Sequence, residues 1–350
     1  MRKLRAAVVI AAGALLVAAC GGDNKSSSSS TTAGGGGGAA TTSAGGGAAT
    51  TVNLTQGGPI NIEVVTHGQA SDPFWSVVKK GVDDAAKVTG DKVNYSAPDT
   101  FDMVKMSQLI DAAVAKKPQG LVVSLPDYNA LKDSLAKAKA AGIPIITINS
   151  GSDHYKDVGA ITHIGQDETI AGQGAGQKLA DAGAKHVVCV NQEVGNAGLD
   201  ARCNGAKQSI EKAGGKLEVL QVNLNDAAGA QNTIKSKLQS DSSIDSVLAL
   251  GPTGATPALA ALKDLGQNGK IKLATFDLSP DVLTAIVSGD MLFAVDQQQY
   301  LQGYLPIVFM DLFAKNLNTV GGGQPVLTGP GYVEKSNAAQ VKSLAAAGTR

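Results

Sequence analysis

The chain has 350 residues, and thirty basic side chains balance thirty acidic ones, so its formal charge at neutral pH is zero. A balance of this kind excludes a global field that would draw in nucleic acid or an anionic lipid surface. Aromatic residues make up only 4% of the chain, so those that stand at a strand end are conspicuous candidates for ligand contact.

Met1-Arg2-Lys3-Leu4-Arg5 is a short basic start, and an apolar run from Ala6 to Ala19 follows it. That is the anatomy of a secretory signal peptide, and the run is too short for a spanning helix. It ends in Val17-Ala18-Ala19-Cys20, small residues before a cysteine that resemble the bacterial lipobox, with Val17 where leucine is commoner. Residues 1–20 are therefore expected as a lipoprotein leader. Cys20 would become the acylated anchor of a mature chain held outside the cytoplasm on the bacterial cell membrane. One acyl chain binds a bilayer weakly, so multiple acylation matters physically. Residues 21–58 are almost entirely Gly, Ser, Thr and Ala. Such a segment cannot bury enough apolar surface to offset its ordering entropy, and it reads as a slack linker with a reach of ~30–40 Å. About 290 residues remain, more than one compact lobe usually holds, so two lobes are expected.

From Pro59 onward, short apolar runs alternate with longer stretches at helical spacing. Strands are expected at Ile60–Thr66, Lys92–Ser96, Gly120–Ser124 and Pro144–Asn149, with helices at Phe74–Val88, Met103–Lys116 and Tyr128–Ala141. The rhythm then restarts. Strands at His186–Asn191, Leu217–Asn223, Ser246–Leu250, Ile271–Phe276 and Leu292–Asp296 alternate with helices at Gly198–Ala213, Ala227–Leu238, Ala255–Leu265 and Pro280–Ser288. The pattern predicts an α/β protein of two doubly wound, parallel-sheet lobes facing each other across a cleft. Ligands of such sheets sit beyond the carboxyl ends of the strands. With Cys20 spent on the anchor, Cys189 and Cys203 are read as an extracytoplasmic disulfide, two reduced core thiols being the alternative.

No constellation here supports catalysis. His67, His154, His163 and His186 are scattered without ligand spacing, and there is no Gly-x-Ser-x-Gly elbow. Gly172-Gln173-Gly174-Ala175-Gly176 looks superficially like a phosphate loop, but it follows the acidic helix start Asp167-Glu168 and is better explained by close helix packing. No cofactor or metal is expected. The strand ends instead carry groups suited to neutral polyhydroxylated ligands. Asp72-Pro73-Phe74-Trp75 sets two aromatics and a carboxylate beyond the first strand, and Asn149, Arg202, Asp277 and Gln297 stand near other strand ends. Aromatic faces pack on the C–H faces of a sugar, while carboxylates, amides and guanidinium groups bond its hydroxyls. The plainer readings are helix caps for Asn149 and Asp277, and a core position for Phe74.

The segment from about Pro59 to Glu334 resembles the periplasmic ribose-binding protein family, the type I sugar-binding lipoproteins of ABC importers. Its marks are Ser71-Asp72-Pro73-Phe74-Trp75, Ile143-Pro144-Ile145-Ile146-Thr147-Ile148-Asn149, Gly205 shortly after Arg202, Thr275-Phe276-Asp277 and Asp296-Gln297-Gln298. The resemblance implies that Asp72, Asn149, Arg202, Asp277 and Gln297 contact ligand oxygens and that Phe74 and Trp75 sandwich the ring. Two positions depart from the ribose type. Asn149-Ser150 replaces Asp-Arg, and Gly251-Pro252-Thr253 replaces a strand-end asparagine, which counts against ribose itself. His67, Gln192 and Thr253 are the further candidates to compensate, and a short polyol, an inositol or another monosaccharide remain open.

The resemblance also implies three crossovers between the lobes, near Gly165, Gln298 and Gln324–Pro325. Residues 59–165 plus 298–324 would form the N-terminal lobe, with Tyr300–Leu317 returning to it as a helix. Residues 166–297 plus 325–350 would form the C-terminal lobe. The expected protein is a monomeric solute-binding lipoprotein that delivers a small neutral sugar or polyol to the membrane subunits of an ABC importer. The alternative is a sensor presenting a sugar, a nucleoside or a furanone signal to a membrane receptor. A helix-turn-helix headpiece, as in sugar-responsive repressors, has no counterpart here, and no nucleic-acid partner is expected.

Overall fold

The computed structural model describes residues 57–68 and 72–350. The leader, Cys20, nearly all of the linker and Ser71 of the first motif lie outside the described residues.

The first lobe begins with β1 (Asn61–Val65), α1 (Pro73–Thr89), β2 (Lys92–Ser96), α2 (Met103–Ala115), β3 (Gly120–Ser124), α3 (Tyr128–Ala140), β4 (Ile145–Asn149) and β5 (Thr162–Gly165). Strands β3 and β4 are buried along their whole length, as parallel strands covered on both faces must be. Helix α1 is bounded by local chemistry. Asp72 caps its N-terminus, Pro73 takes the first turn, and Gly90 ends it in the left-handed conformation. Its buried stripe of Phe74, Trp75, Val78, Val82 and Ala85 packs on one face of the sheet, and α2 and α3 cover the other.

The second lobe follows as α4 (Glu168–Asp181), β6 (His186–Asn191), α5 (Ala197–Lys212), β7 (Lys216–Gln221), α6 (Ala227–Ser240), β8 (Ser246–Ala249), α7 (Pro252–Asp264), β9 (Lys272–Phe276), α8 (Pro280–Ser288) and β10 (Phe293–Asp296). The chain then returns through α9 (Gln299–Asn316) to pack on α1, adds β11 (Val326–Leu327) and β12 (Gly331–Glu334), and closes with α10 (Ala338–Ala346) against α8. The two six-stranded sheets have the orders β11-β5-β4-β3-β1-β2 and β12-β10-β9-β8-β6-β7. The fold is the two-lobed, doubly wound α/β class read from the sequence.

Three details differ from expectation. Val326 and Leu327 pair with Ile164 and Gly165 in the first sheet, so β11 belongs to the first lobe and the last crossover is Thr328–Pro330, not Gln324–Pro325. The second sheet is not wholly parallel, because β12 runs antiparallel to β10 along its edge. Strand β5 replaces what the sequence marked only as a crossover near Gly165. The other two crossovers are Gln166–Asp167 and Gln297–Gln298. The glycines of α4 are packing residues. A Cβ at Gly172 or Gly176 would strike the α5 backbone at Arg202 or Ala206, and one at Gly205 would strike Thr169 of α4. Cys189 of β6 and Cys203 of α5 form a disulfide with Cα atoms 6.0 Å apart.

Candidate functional site

The cleft wall of the first lobe is built where β1, β3 and β4 end. His67 follows β1, and its Nδ1 and backbone N–H both meet Ser124 Oγ at 2.9 Å. The imidazole packs edge-on against Trp75, with centroids 4.7 Å apart, and against Phe101 at 5.7 Å. Gly68 permits this, since a Cβ there would overlap the indole. Asp72 Oδ1 accepts from the Phe74 and Trp75 backbone N–H groups at 2.9 and 3.4 Å, so it caps α1 as well as facing the cleft. Phe74 and Trp75 meet edge to face, at 77° and 4.9 Å between centroids. They form a corner rather than two parallel walls, which corrects the ring sandwich that the resemblance implied.

Asn149 and Asp277 close equivalent strands of the two sheets, and both have left-handed backbones, with φ of 61° and 65°. Asn and Asp tolerate that conformation better than other side chains do, and such outliers gather at functional sites. Neither residue is a helix cap. The hinge residue Gln297 joins them, accepting from Asn149 Nδ2 at 3.3 Å and donating from its Nε2 to Asp277 Oδ1 at 2.6 Å. Gln302, from the start of α9, also donates to Gln297 Oε1, at 2.8 Å. A chain of amides thus links the first lobe, the hinge and the second lobe.

Among the described residues the only guanidinium that lines the cavity belongs to Arg202, and it is buried and heavily committed. Its Nε and Nη2 donate to Glu168 at 2.6 and 2.9 Å, its Nη1 donates to the Leu250 carbonyl at 3.0 Å, and Asp277 Oδ2 lies 3.6 Å from Nη1. Burial works against the Arg202 charge, but Glu168 and Asp277 outweigh it and raise the pKa. Burial likewise pushes Asp277 up to about 7, against the pull of Arg202 and Gln297. Asp72 is raised by burial despite its two backbone donors. His67 is held neutral, lowered to about 3 by burial and then by Arg202.

Asp72, Phe74, Trp75, Asn149, Arg202, Asp277 and Gln297, together with His67, Gln192 and Thr253, line one cavity of about 40 Å³. That is space for a few waters. Gln192 shows how the departure at Gly251 is used. A Cβ at Gly251 would stand 3.0 Å from Gln192 Nε2, so the missing side chain makes room for this amide. Gln192 Oε1 is buried and has no hydrogen-bond partner among the described residues.

Sequence reasoning did not single out Glu168, Glu193 or Asn196. Glu168 was read only as part of an acidic helix start, yet it holds Arg202 and accepts from Gln166 Nε2 at 2.9 Å. Glu193 lies on the cavity wall and accepts from Asn196 Nδ2 at 2.7 Å. Its place, two residues past the buried strand β6, was the available signal.

Residues 62–317 match the periplasmic binding protein domain family. A carbohydrate transporter from Acidothermus cellulolyticus 11B, whose crystal structure contains myo-inositol, is 40% identical. It aligns over 84% of this chain and all of its own, with a TM-score of 0.80. The xylose/arabinose-binding protein of Sulfolobus acidocaldarius is 25% identical over 76% of this chain and 69% of its own. The D-allose-binding periplasmic protein of Escherichia coli is 27% identical over 65% of this chain and 76% of its own. These are binding proteins rather than enzymes, and the chain belongs to the periplasmic binding protein family, in its two-lobed ribose-binding type.

Proposed function

We propose that this protein captures a neutral ring polyol or monosaccharide in the cleft, with myo-inositol as the first candidate, and delivers it to an ABC importer. The observation that carries this reading is the convergence of side chains from both lobes and the hinge on one cavity, joined through Asn149, Gln297 and Asp277. Hydroxyl groups need donors and acceptors arranged around a ring, and amides and carboxyls supply both. The Acidothermus transporter crystallised with myo-inositol supports an inositol over a pentose, as does the loss of two side chains of the ribose type at Ser150 and Gly251. A micromolar complex needs about −8.2 kcal/mol. Several hydrogen bonds to charged groups at ~1.5–3 kcal/mol each, with the Phe74–Trp75 corner against a C–H face, supply that after the costs of ordering.

Closure of the lobes about the three crossovers buries the ligand and forms the surface that the importer's membrane subunits read. In this account the protein works as a monomer outside the cytoplasm, tethered through acylated Cys20 and the linker. Thermal unfolding of the purified chain against inositols, pentoses, hexoses and linear polyols, with nucleosides and amino acids as controls, tests the ligand class. A ligand at a hundred times its Kd adds ~2.7 kcal/mol and raises the midpoint. Stabilisation by an inositol or sugar is expected; stabilisation by a nucleoside or amino acid alone would overturn the assignment.

A further inference from the structure

Glu193 stands between β6 and α5 in the second lobe, where the inner cavity meets the clefts that open outward from it. Its Oε2 lies 3.7 Å from Nε2 of His67, a first-lobe residue, and Asn196 Nδ2 lies 3.5 Å from the same nitrogen. This approach exists only while the lobes are together. Asp72, Glu193 and Asp277 line the cavity with one guanidinium, that of Arg202, and Glu168 stands behind it. Glu168 of α4 takes two N–H groups of Arg202, and Asp277 after β9 stands beside a third. Asp72 at the start of α1 is held by backbone N–H groups. No lysine lines the cavity among the described residues, so Glu193 has no cation of its own.

A buried carboxyl without a cation gains a proton rather than keep its charge. Burial foremost, opposed by the Asn196 hydrogen bond, pushes Glu193 up to about 7; Asp72 adds to the rise and Arg202 subtracts from it. His67 facing it is packed by first-lobe neighbours, Trp75, Phe101 and Ser124, which keep its imidazole buried without help from the second lobe. It offers Glu193 a lone pair or an N–H according to its tautomer, and the part of its lowering that comes from Arg202 works against proton uptake on closure.

We propose that Glu193 is a ligand-binding residue of this cleft, that it meets a hydroxyl oxygen of a neutral polyol as an uncharged carboxylic acid, and that lobe closure on such a ligand takes up a proton. This rests on the polyol-binding reading of the cleft and deepens it: an uncharged carboxylic acid offers a neutral hydroxyl both an O–H donor and a carbonyl acceptor. The sign follows from linkage. A glutamate carboxyl in water titrates near ~4.3, and in the closed cleft burial pushes Glu193 up to about 7. Affinity is therefore highest below about pH 4.5, falls by up to tenfold per pH unit toward about pH 7, and is level above that. Asp277, also raised to about 7, adds to the same slope.

The test is calorimetric titration of the whole chain with myo-inositol between about pH 5 and pH 8, in buffers of different ionisation enthalpy. Wild-type protein should show proton uptake near pH 6 and at least about tenfold weaker binding at pH 7.5 than at pH 5. Glu193→Gln should take up fewer protons, by as much as about one, and show a flatter profile. His67→Asn, which keeps the Glu193 carboxyl, should retain the uptake. Binding without pH dependence in the wild type, or equal uptake in Glu193→Gln and the wild type, would overturn this inference alone. Uptake lost in His67→Asn and kept in Glu193→Gln would assign the proton to His67 and overturn it too. No binding of any ring polyol at any pH would overturn the reading of the cleft as well.

Discussion

Asp277 meets both the hinge and the only guanidinium that lines the cavity among the described residues. Its Oδ1 accepts from Gln297 Nε2, and its Oδ2 faces the cavity beside Arg202 and Gly251. Asp277→Ala should weaken polyol binding by at least ~1.5 kcal/mol, the range of hydrogen bonds to charged or acidic groups, measured by calorimetry. Wild-type affinity in that variant would remove Asp277 from the contact set. The residues nearest this one illustrate what a sequence carries and what it hides. Asp277, Asn149 and Gln297 were legible because each follows a readable strand. Glu168 was not, because its role depends on Arg202, 34 residues away, across a helix pair whose register no local pattern reports. Glu193 was hidden for a related reason: its neighbour His67 is brought to it only by the meeting of two lobes.

At the scale of elements, hydrophobic runs were decisive. Strands β3 and β4 are mostly apolar runs, and their burial on both faces is the physical cause of that pattern. Strand β5, Thr-His-Ile-Gly, is short and half polar: Thr162 Oγ1 donates to the Gln324 carbonyl and His163 Nδ1 meets Thr147 Oγ1, so the apolar run that marks a buried strand is missing. Strands β11 and β12 are edge strands of two and four residues, with too little period to see. The α4–α5 pair makes a test at this scale. Its glycines let the helices approach backbone to backbone, and α5 carries Arg202. Gly205→Val should cost about 1–3 kcal/mol of stability through overpacking, and should weaken ligand binding as Arg202 shifts. An unchanged unfolding midpoint and affinity would show that the close approach is not required.

For the whole molecule, the three crossovers carry hydrogen bonds that run into the candidate site. Gln166 bonds Glu168 behind Arg202, Gln297 bridges Asn149 and Asp277, and Gln302 ties Gln297 to Thr328 of the third crossover. The crossovers are thus joined to the candidate site by side-chain amides. The order of elements in each lobe was enough to place the cleft. The position of the last crossover was not, because β11 joins the first sheet by only two residues. Trp75 is the single tryptophan, buried in the cavity wall against His67 and Phe74, so its emission reports both the place and the fact of binding. The most direct measurement is therefore a titration of Trp75 emission with myo-inositol, alongside calorimetry on the same sample. A saturable spectral change with the same midpoint as the binding heat is expected. Saturable heat with an unchanged emission spectrum would put the ligand elsewhere, and no response in either signal would contradict inositol as the ligand.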